Sequence, residues 1–309
     1  MSPSRAAVAI AASGALAVAA AGFYRLPRSQ AGTRELYADV DPATIASLEA
    51  FRATHPAQRL TVAGHTWEYV AFGEGPATVL FLHGMSGTHD IWWQQLEALS
   101  GSHRVMAVSY PPVPSLSQLA TGILAILDAV GVDSSAIVGS SLGGYLAQYL
   151  VQYHDDRIDR AVFANTFPPN DQLRERHRWR ARIGRLLPER VVATAFRASN
   201  TRRVLPASQG SPLVAAYLAE QARLPGLKQR LLARYRTVIE PFTICDPAPD
   251  GLPLLLLQSD NDPLLEPRLR AALLATYPMA RVHTFAEGGH FPYLDRPAEY
   301  TEVLRDFLA

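Results

Sequence analysis

Short apolar runs at residues 78–82, 104–109, 136–138, 161–164, 254–257 and 282–285 recur along the chain, and most are followed by a segment with helical apolar spacing, as at 92–99, 116–130, 142–153 and 266–276. A run such as Thr78-Val-Leu-Phe-Leu82 has no polar face, so it reads as a strand buried on both sides. Strands of that kind, alternating with helices, can be accommodated by few architectures. The repeat predicts an α/β fold in which a mostly parallel sheet carries helices on both faces. Ahead of the repeat, residues 60–72 alternate apolar and polar positions about a glycine and predict a β-hairpin.

The rhythm stops between about 167 and 246, where the sequence turns helical, and it resumes at residue 254. A helical insertion between two halves of a parallel sheet is expected to form a lid over the carboxyl edge, where open α/β sheets bind ligands. The insertion is rich in arginine, with Arg174, Arg176, Arg178, Arg180, Arg182 and Arg185 close together. Their spacing scatters them around a helix, which fits a solvated lid face better than a dedicated basic site.

Upstream, residues 6–24 are apolar and mostly alanine, with a single leucine, flanked by Arg5, Arg25 and Arg28. Residues 1–24 therefore read as a signal peptide or an N-terminal membrane anchor, with possible membrane association through residues 6–24 and an exported or membrane-anchored location. Residues 25–57 read as a linker or approach segment with one short helix begun by Asp41-Pro42, and residues 58–309 as the folded domain. The 29 Lys and Arg balance 28 Asp and Glu. That balance leaves no broad basic surface, so nucleic acid is not an expected partner. Cys245 is the single cysteine, which excludes an intramolecular disulfide; it is expected to be a small, partly buried residue.

Candidate chemistry begins at Gly139-Ser-Ser-Leu-Gly143, which stands between the buried run 136–138 and the helical segment 142–153. This G-x-S-x-G context places a serine on a sharp strand-to-helix turn, so Ser141 is the candidate nucleophile. A serine hydroxyl needs a base within hydrogen-bond reach, and the base needs a partner to fix its tautomer. The chain supplies a candidate base in Glu287-Gly-Gly-His290, where a strand ends and the final helix follows. The orienting acid is expected after the run 254–257, in Gln258-Ser-Asp-Asn-Asp-Pro263. Asp262 is preferred there because its longer reach clears the strand end; Asp260 is the alternative. Two backbone donors must face the charge that develops on a carbonyl oxygen. Leu142 follows the serine directly, and Met85 lies in the loop His83-Gly-Met-Ser-Gly87 after a strand. They are the candidate oxyanion-hole pair, with His83 holding the loop. Trp92 and Trp93 are expected to pack against the first helix, with lining of the pocket as the alternative.

These residues resemble the α/β-hydrolase superfamily from about residue 78 to residue 308. A more specific resemblance, to the maspardin family, rests on Ser86-Gly-Thr-His-Asp-Ile-Trp, Val108-Ser-Tyr-Pro111, Gly139-Ser-Ser-Leu-Gly-Gly-Tyr-Leu-Ala-Gln148, Asn165-Thr-Phe167 and Gly288-Gly-His-Phe-Pro-Tyr-Leu294, in that order. The superfamily resemblance implies the α/β-hydrolase fold and a serine hydrolase acting on a small ester-like substrate without a metal or organic cofactor. The maspardin resemblance implies an alternative: a non-catalytic binding protein that recruits a partner through its lid surface. Maspardin itself carries a different residue at the histidine position, whereas His290 is present in this chain.

Overall fold

The computed structural model describes residues 33–309, and for residues 172 and 176–181 the backbone alone. The segment expected to direct export or anchoring, residues 1–24, lies outside the described residues. Among those described, no helix is long and apolar enough to cross a membrane.

The chain enters through α1 (Thr33–Leu36) and α2 (Pro42–Thr54). Asp41 caps α2 by accepting the Thr44 N–H at 2.9 Å, and Pro42 occupies the first turn, where its missing N–H costs nothing. Tyr37, Val40, Leu48 and Phe51 of this stretch are buried in the main core. The linker reading of residues 25–57 is therefore corrected from Thr33 onward: apolar residues spaced along α2 dock it on the domain.

Strands β1 (Gln58–Val62) and β2 (His65–Phe72) form the expected hairpin, turning at Ala63 and Gly64, both with positive φ as a tight turn between twisted strands demands. There follow β3 (Thr78–Leu82), α3 (Trp93–Leu99), β4 (Arg104–Ser109), α4 (Leu116–Ala129), β5 (Ser135–Ser140), α5 (Leu142–Tyr153) and β6 (Ile158–Ala164). The insertion contains α6 (Asp171–Leu186), α7 (Glu189–Ser199), α8 (Leu205–Ala207), α9 (Pro212–Gln221) and α10 (Leu227–Val238). A π-helical turn, Asn200–Val204, bridges α7 and α8. The chain closes with β7 (Leu254–Ser259), α11 (Pro267–Thr276), β8 (Arg281–Phe285), α12 (Pro292–Asp295) and α13 (Pro297–Leu308).

The eight strands form one sheet in the order β1-β2-β4-β3-β5-β6-β7-β8. It is parallel from β4 to β8 and antiparallel only where β2 pairs with β1 and β4. Every residue of β3 and β5 is buried, as expected of strands covered on both faces. One face packs against α2, α3 and α13 through Phe51, Leu96, Leu304 and Phe307, and Trp92 and Trp93 lie fully buried in that layer. The other face packs against α4, α5 and α11 through Ile123, Leu146 and Leu269. This is the α/β-hydrolase architecture with a helical lid, in which the carboxyl ends of β3, β5, β6, β7 and β8 open toward the insertion. Cys245, expected partly buried, is exposed, because the stretch between α10 and β7 runs over the surface.

Candidate active site

The site is built from loops at the carboxyl ends of five neighbouring strands. Ser141 stands between β5 and α5 with φ 55° and ψ −117°, a conformation that costs a non-glycine residue about 1–3 kcal/mol. Two contacts hold it there: the Ser141 N–H donates to Ala164 O at 2.9 Å, and Thr166 Oγ1 donates to Ser141 O at 2.7 Å. The tight packing that the turn needs is visible at Gly143, where a Cβ would fall 2.1 Å from Leu82 O. Any side chain there would push α5 off β3.

Gly84 brings the loop after β3 beside the serine: a Cβ on Gly84 would fall 3.1 Å from Ser141 Cβ and 3.7 Å from Ser141 Oγ. The next residue is Met85. Leu142 opens α5, and its N–H is one of the donors that a helix N-terminus leaves without an intrahelical acceptor. His83, at the end of β3, is fully buried; its Nδ1 lies 2.7 Å from Gly84 O and its Nε2 receives the Tyr110 N–H at 3.4 Å. A neutral ring protonated at Nδ1 satisfies both contacts. Burial above all, and then the nearby Arg234 charge, hold its pKa well below the ordinary histidine value. His83 therefore pins the loop as an uncharged brace, the role its position suggests in the sequence.

Asp262, in the loop after β7, and His290, in the loop after β8, are both buried, and His290 Nδ1 lies 2.8 Å from Asp262 Oδ2. Burial alone would raise the Asp262 carboxyl. The His290 ring and donors from His290, Asn165 and the Leu264 N–H outweigh it and hold the carboxyl below the usual range. Asp260 makes no such contact with the histidine. It accepts the Glu287 N–H at 2.8 Å and so shapes the turn that delivers His290. Between the two aspartates, Asn261 accepts the Gly289 N–H and donates to Ala207 O, each at 2.8 Å, tying the histidine loop to the lid.

Two further site residues, Asn165 and Thr166, stand in the sequence only within the family-like segment Asn165-Thr-Phe167. Asn165 has φ 42°, is fully buried, and donates from Nδ2 to Asp262 Oδ2 at 2.9 Å. Its neighbour Thr166 holds the Ser141 carbonyl. Their sequence signal is slight: a polar pair directly after the apolar run of β6, the strand that lies between those of the serine and the acid. The arginine-rich stretch of α6 stands apart from this geometry. Arg174, Arg182 and Arg185 are exposed, and the side chains of Arg176, Arg178 and Arg180 lie outside the described ones. Among the described residues, no group of three His, Cys, Asp or Glu side chains is arranged to hold a metal ion.

The profile of the alpha/beta hydrolase family matches residues 79–303. Among characterised proteins the chain is similar to maspardin of Danio rerio, 28% identical over 277 residues that cover 83% of this chain and 85% of that protein. It is also similar to the esterase YbfF of Escherichia coli, 24% identical over 74% of this chain and 92% of that protein. In three dimensions it superposes on a hydrolase from Pseudomonas aeruginosa with a TM-score of 0.71 at 22% identity, covering 82% of this chain and 98% of the other.

Proposed function

The chain belongs to the alpha/beta hydrolase family, and on that premise we propose that it is a serine hydrolase that cleaves a carboxylic ester through an acyl-enzyme formed on Ser141. The observation that carries this reading is the buried 2.8 Å contact between His290 Nδ1 and Asp262. With the Nδ1 proton shared with Asp262, Nε2 is the ring nitrogen left to take a proton from Ser141. The strained, doubly anchored backbone of Ser141 supports it further.

In the proposed cycle, Ser141 Oγ attacks the ester carbonyl while His290 Nε2 takes its proton. The Leu142 and Met85 N–H groups receive the oxyanion, and the imidazolium returns the proton to the leaving alcohol. Water then attacks the acyl-serine by the same steps in reverse roles, releasing the acid. Asp262, held ionised, stabilises the imidazolium at each stage. The reaction so written draws only on side chains and backbone of this chain and on water. Residues 6–24 are proposed to carry the enzyme out of the cytoplasm or to anchor it there; mass spectrometry of the mature protein distinguishes a cleaved from a retained segment.

The test is hydrolysis of p-nitrophenyl esters of increasing acyl length, with labelling by a fluorophosphonate probe. Ser141→Ala is expected to lower kcat by about 10⁶-fold and Asp262→Asn by about 10⁴-fold, with little change in stability for the serine variant. A folded protein that neither turns over any ester of the series nor takes the label at Ser141 would overturn the assignment and favour the maspardin-like binding role.

A further inference from the structure

Helix α10 of the lid carries a guanidinium that the folded chain leaves short of partners. Arg234 is 5% exposed. Its Nη1 donates to Met85 O at 2.5 Å and its Cζ lies 5.9 Å from the centre of the Tyr110 ring. Nε and Nη2 are buried and meet no acceptor among the described residues. Burial first, and then the second cation Arg230, lower its pKa to about 10; the groups that favour its charge are the phenols of Tyr110 and Tyr217, and no carboxylate is among them. Asp90 is bonded to Arg52, Thr88 and Tyr217, and Glu240 to the Leu116 N–H. Glu189 favours the charge of Arg230, which donates from Nη1 to Pro225 O and from Nη2 to Leu224 O, so the unpartnered donors are those of Arg234.

A buried charge without a counter-ion or a full set of acceptors is among the least favourable arrangements in a protein interior. Beside it lies a cavity of about 10 Å³ lined by Met85, Ser86, Gln221, Arg230, Leu231 and Arg234. That is room for about one water-sized group. Its wall is shared with Met85, whose N–H faces the reaction in the cycle above, and Met85 joins Leu227 and Leu231 in a small apolar cluster that keeps the surroundings low in polarity. Low polarity strengthens the attraction of the two guanidinium groups for an anion.

We propose that this cavity is an anion subsite of the active centre, so that the ester hydrolysed carries a carboxylate or phosphate group, one oxygen of which seats between Arg234 and Arg230. This rests on the ester-hydrolase reading for its substrate, though not for the anion site itself. A planar guanidinium with two free donors suits an anionic oxygen better than a neutral carbonyl. The subsite selects substrates by charge, adjacent to the loop that supplies Met85.

Two measurements separate the subsite from the catalytic reading. In the Ser141→Ala protein, calorimetry compares monomethyl succinate with methyl succinamate, its neutral analogue, and monobutyryl glycerol 3-phosphate with monobutyrin. At least a tenfold preference for one charged partner is expected, and the pair that shows it identifies carboxylate or phosphate. In the protein with Ser141 intact, Arg234→Met is expected to lower kcat/KM for p-nitrophenyl hemisuccinate relative to p-nitrophenyl butyrate by tenfold or more, chiefly through KM if the anion is a carboxylate. For a phosphate, the same loss appears with the glycerol phosphate ester relative to monobutyrin. Equal binding of charged and neutral partners overturns the proposal. So does an equal fall in kcat on charged and neutral esters, which would make Arg234 only a positioning residue for the Met85 carbonyl. Should Arg234→Met fail to fold, Arg230→Met and the binding preferences decide by the same criteria. Anion preference in a protein that turns over no ester would sink the hydrolase reading and leave the subsite standing.

Discussion

Arg52 faces the helical lid from α2 and Arg234 belongs to the lid, and their surroundings are opposite. Arg52, on α2, donates from Nε to Asp90 Oδ2 at 2.8 Å and forms a fork with Glu220 of α9 at 3.0 and 2.9 Å. Tyr37 adds a 2.6 Å bond to the same glutamate, and Tyr217 of α9 donates to Asp90 at 2.7 Å. Burial opposes the Arg52 charge, but Glu220 and Asp90 outweigh it and raise its pKa. At Arg234 nothing outweighs burial, and the pKa falls. The first cluster is a closed account in which each charge has its partner, and it joins the N-terminal helix, the loop after β3 and the lid. The second is open. A fold keeps the former for cohesion; the latter makes sense where something else arrives.

The contrast can be broken most forcefully at Arg52. Arg52→Met leaves Asp90 buried and Glu220 half-buried without a cation, and chemical denaturation is expected to show a loss of about 3 kcal/mol, discounted from a fully buried pair because the Arg52 side chain is partly exposed. Arg234→Met sharpens the contrast with the opposite sign. Without added anion it is expected to be neutral or to gain about 1 kcal/mol, since an apolar chain replaces an unpaired charge; a loss as large as that at Arg52 would mean the two sites are alike.

The smallest effect is in the acid limb of stability. The Asp90 carboxyl is held below its ordinary value: burial would raise it, and Arg52 with its hydrogen-bond donors outweighs burial. The stability this contributes is complete above about pH 4 and is lost as pH falls through the folded pKa. With Arg52→Met, burial dominates, and the fall should begin at higher pH. His83 acts in a different window. Its folded pKa lies below the usual value, so the unfolded chain takes up a proton first and stability declines as pH drops below about 6.5. Arg234 is the second cause of that depression, after burial. Arg234→Met should raise the folded pKa of His83, so that the decline, which still begins at about pH 6.5, levels off at a higher pH; unfolding curves at stepped pH read it directly.

What could be read from the sequence and what could not divides along similar lines. The bounds of β4 and α5, the hairpin, and the serine turn follow from local pattern, because strands buried on both faces and a turn crowded by Leu82 O admit few residue types. The preference for Asp262 over Asp260 followed from reach beyond the strand end, and the histidine contact goes to Asp262. Asn165, Thr166 and the Arg52 cluster depend on partners 25 to 183 residues away in sequence, which no window along the chain contains. Arg234 carries a weak local signal for a further reason. The dense arginines of α6 dominate the charge pattern of the insertion, while Arg230 and Arg234 sit among Leu227 and Leu231 at the spacing of one helical face. A cation on an apolar stripe is the signal that would have found them.

The pair Asn165 and Thr166 has a consequence for how such a site tolerates change. One residue grips the carboxylate of Asp262 and its immediate neighbour grips the backbone of Ser141. The interval between Ser141 and Asp262 is thereby calibrated against a single peptide unit, as a workshop gauge sets two jaws from one block. Neither bond comes from the lid, so a change in the lid helices leaves that interval to the sheet.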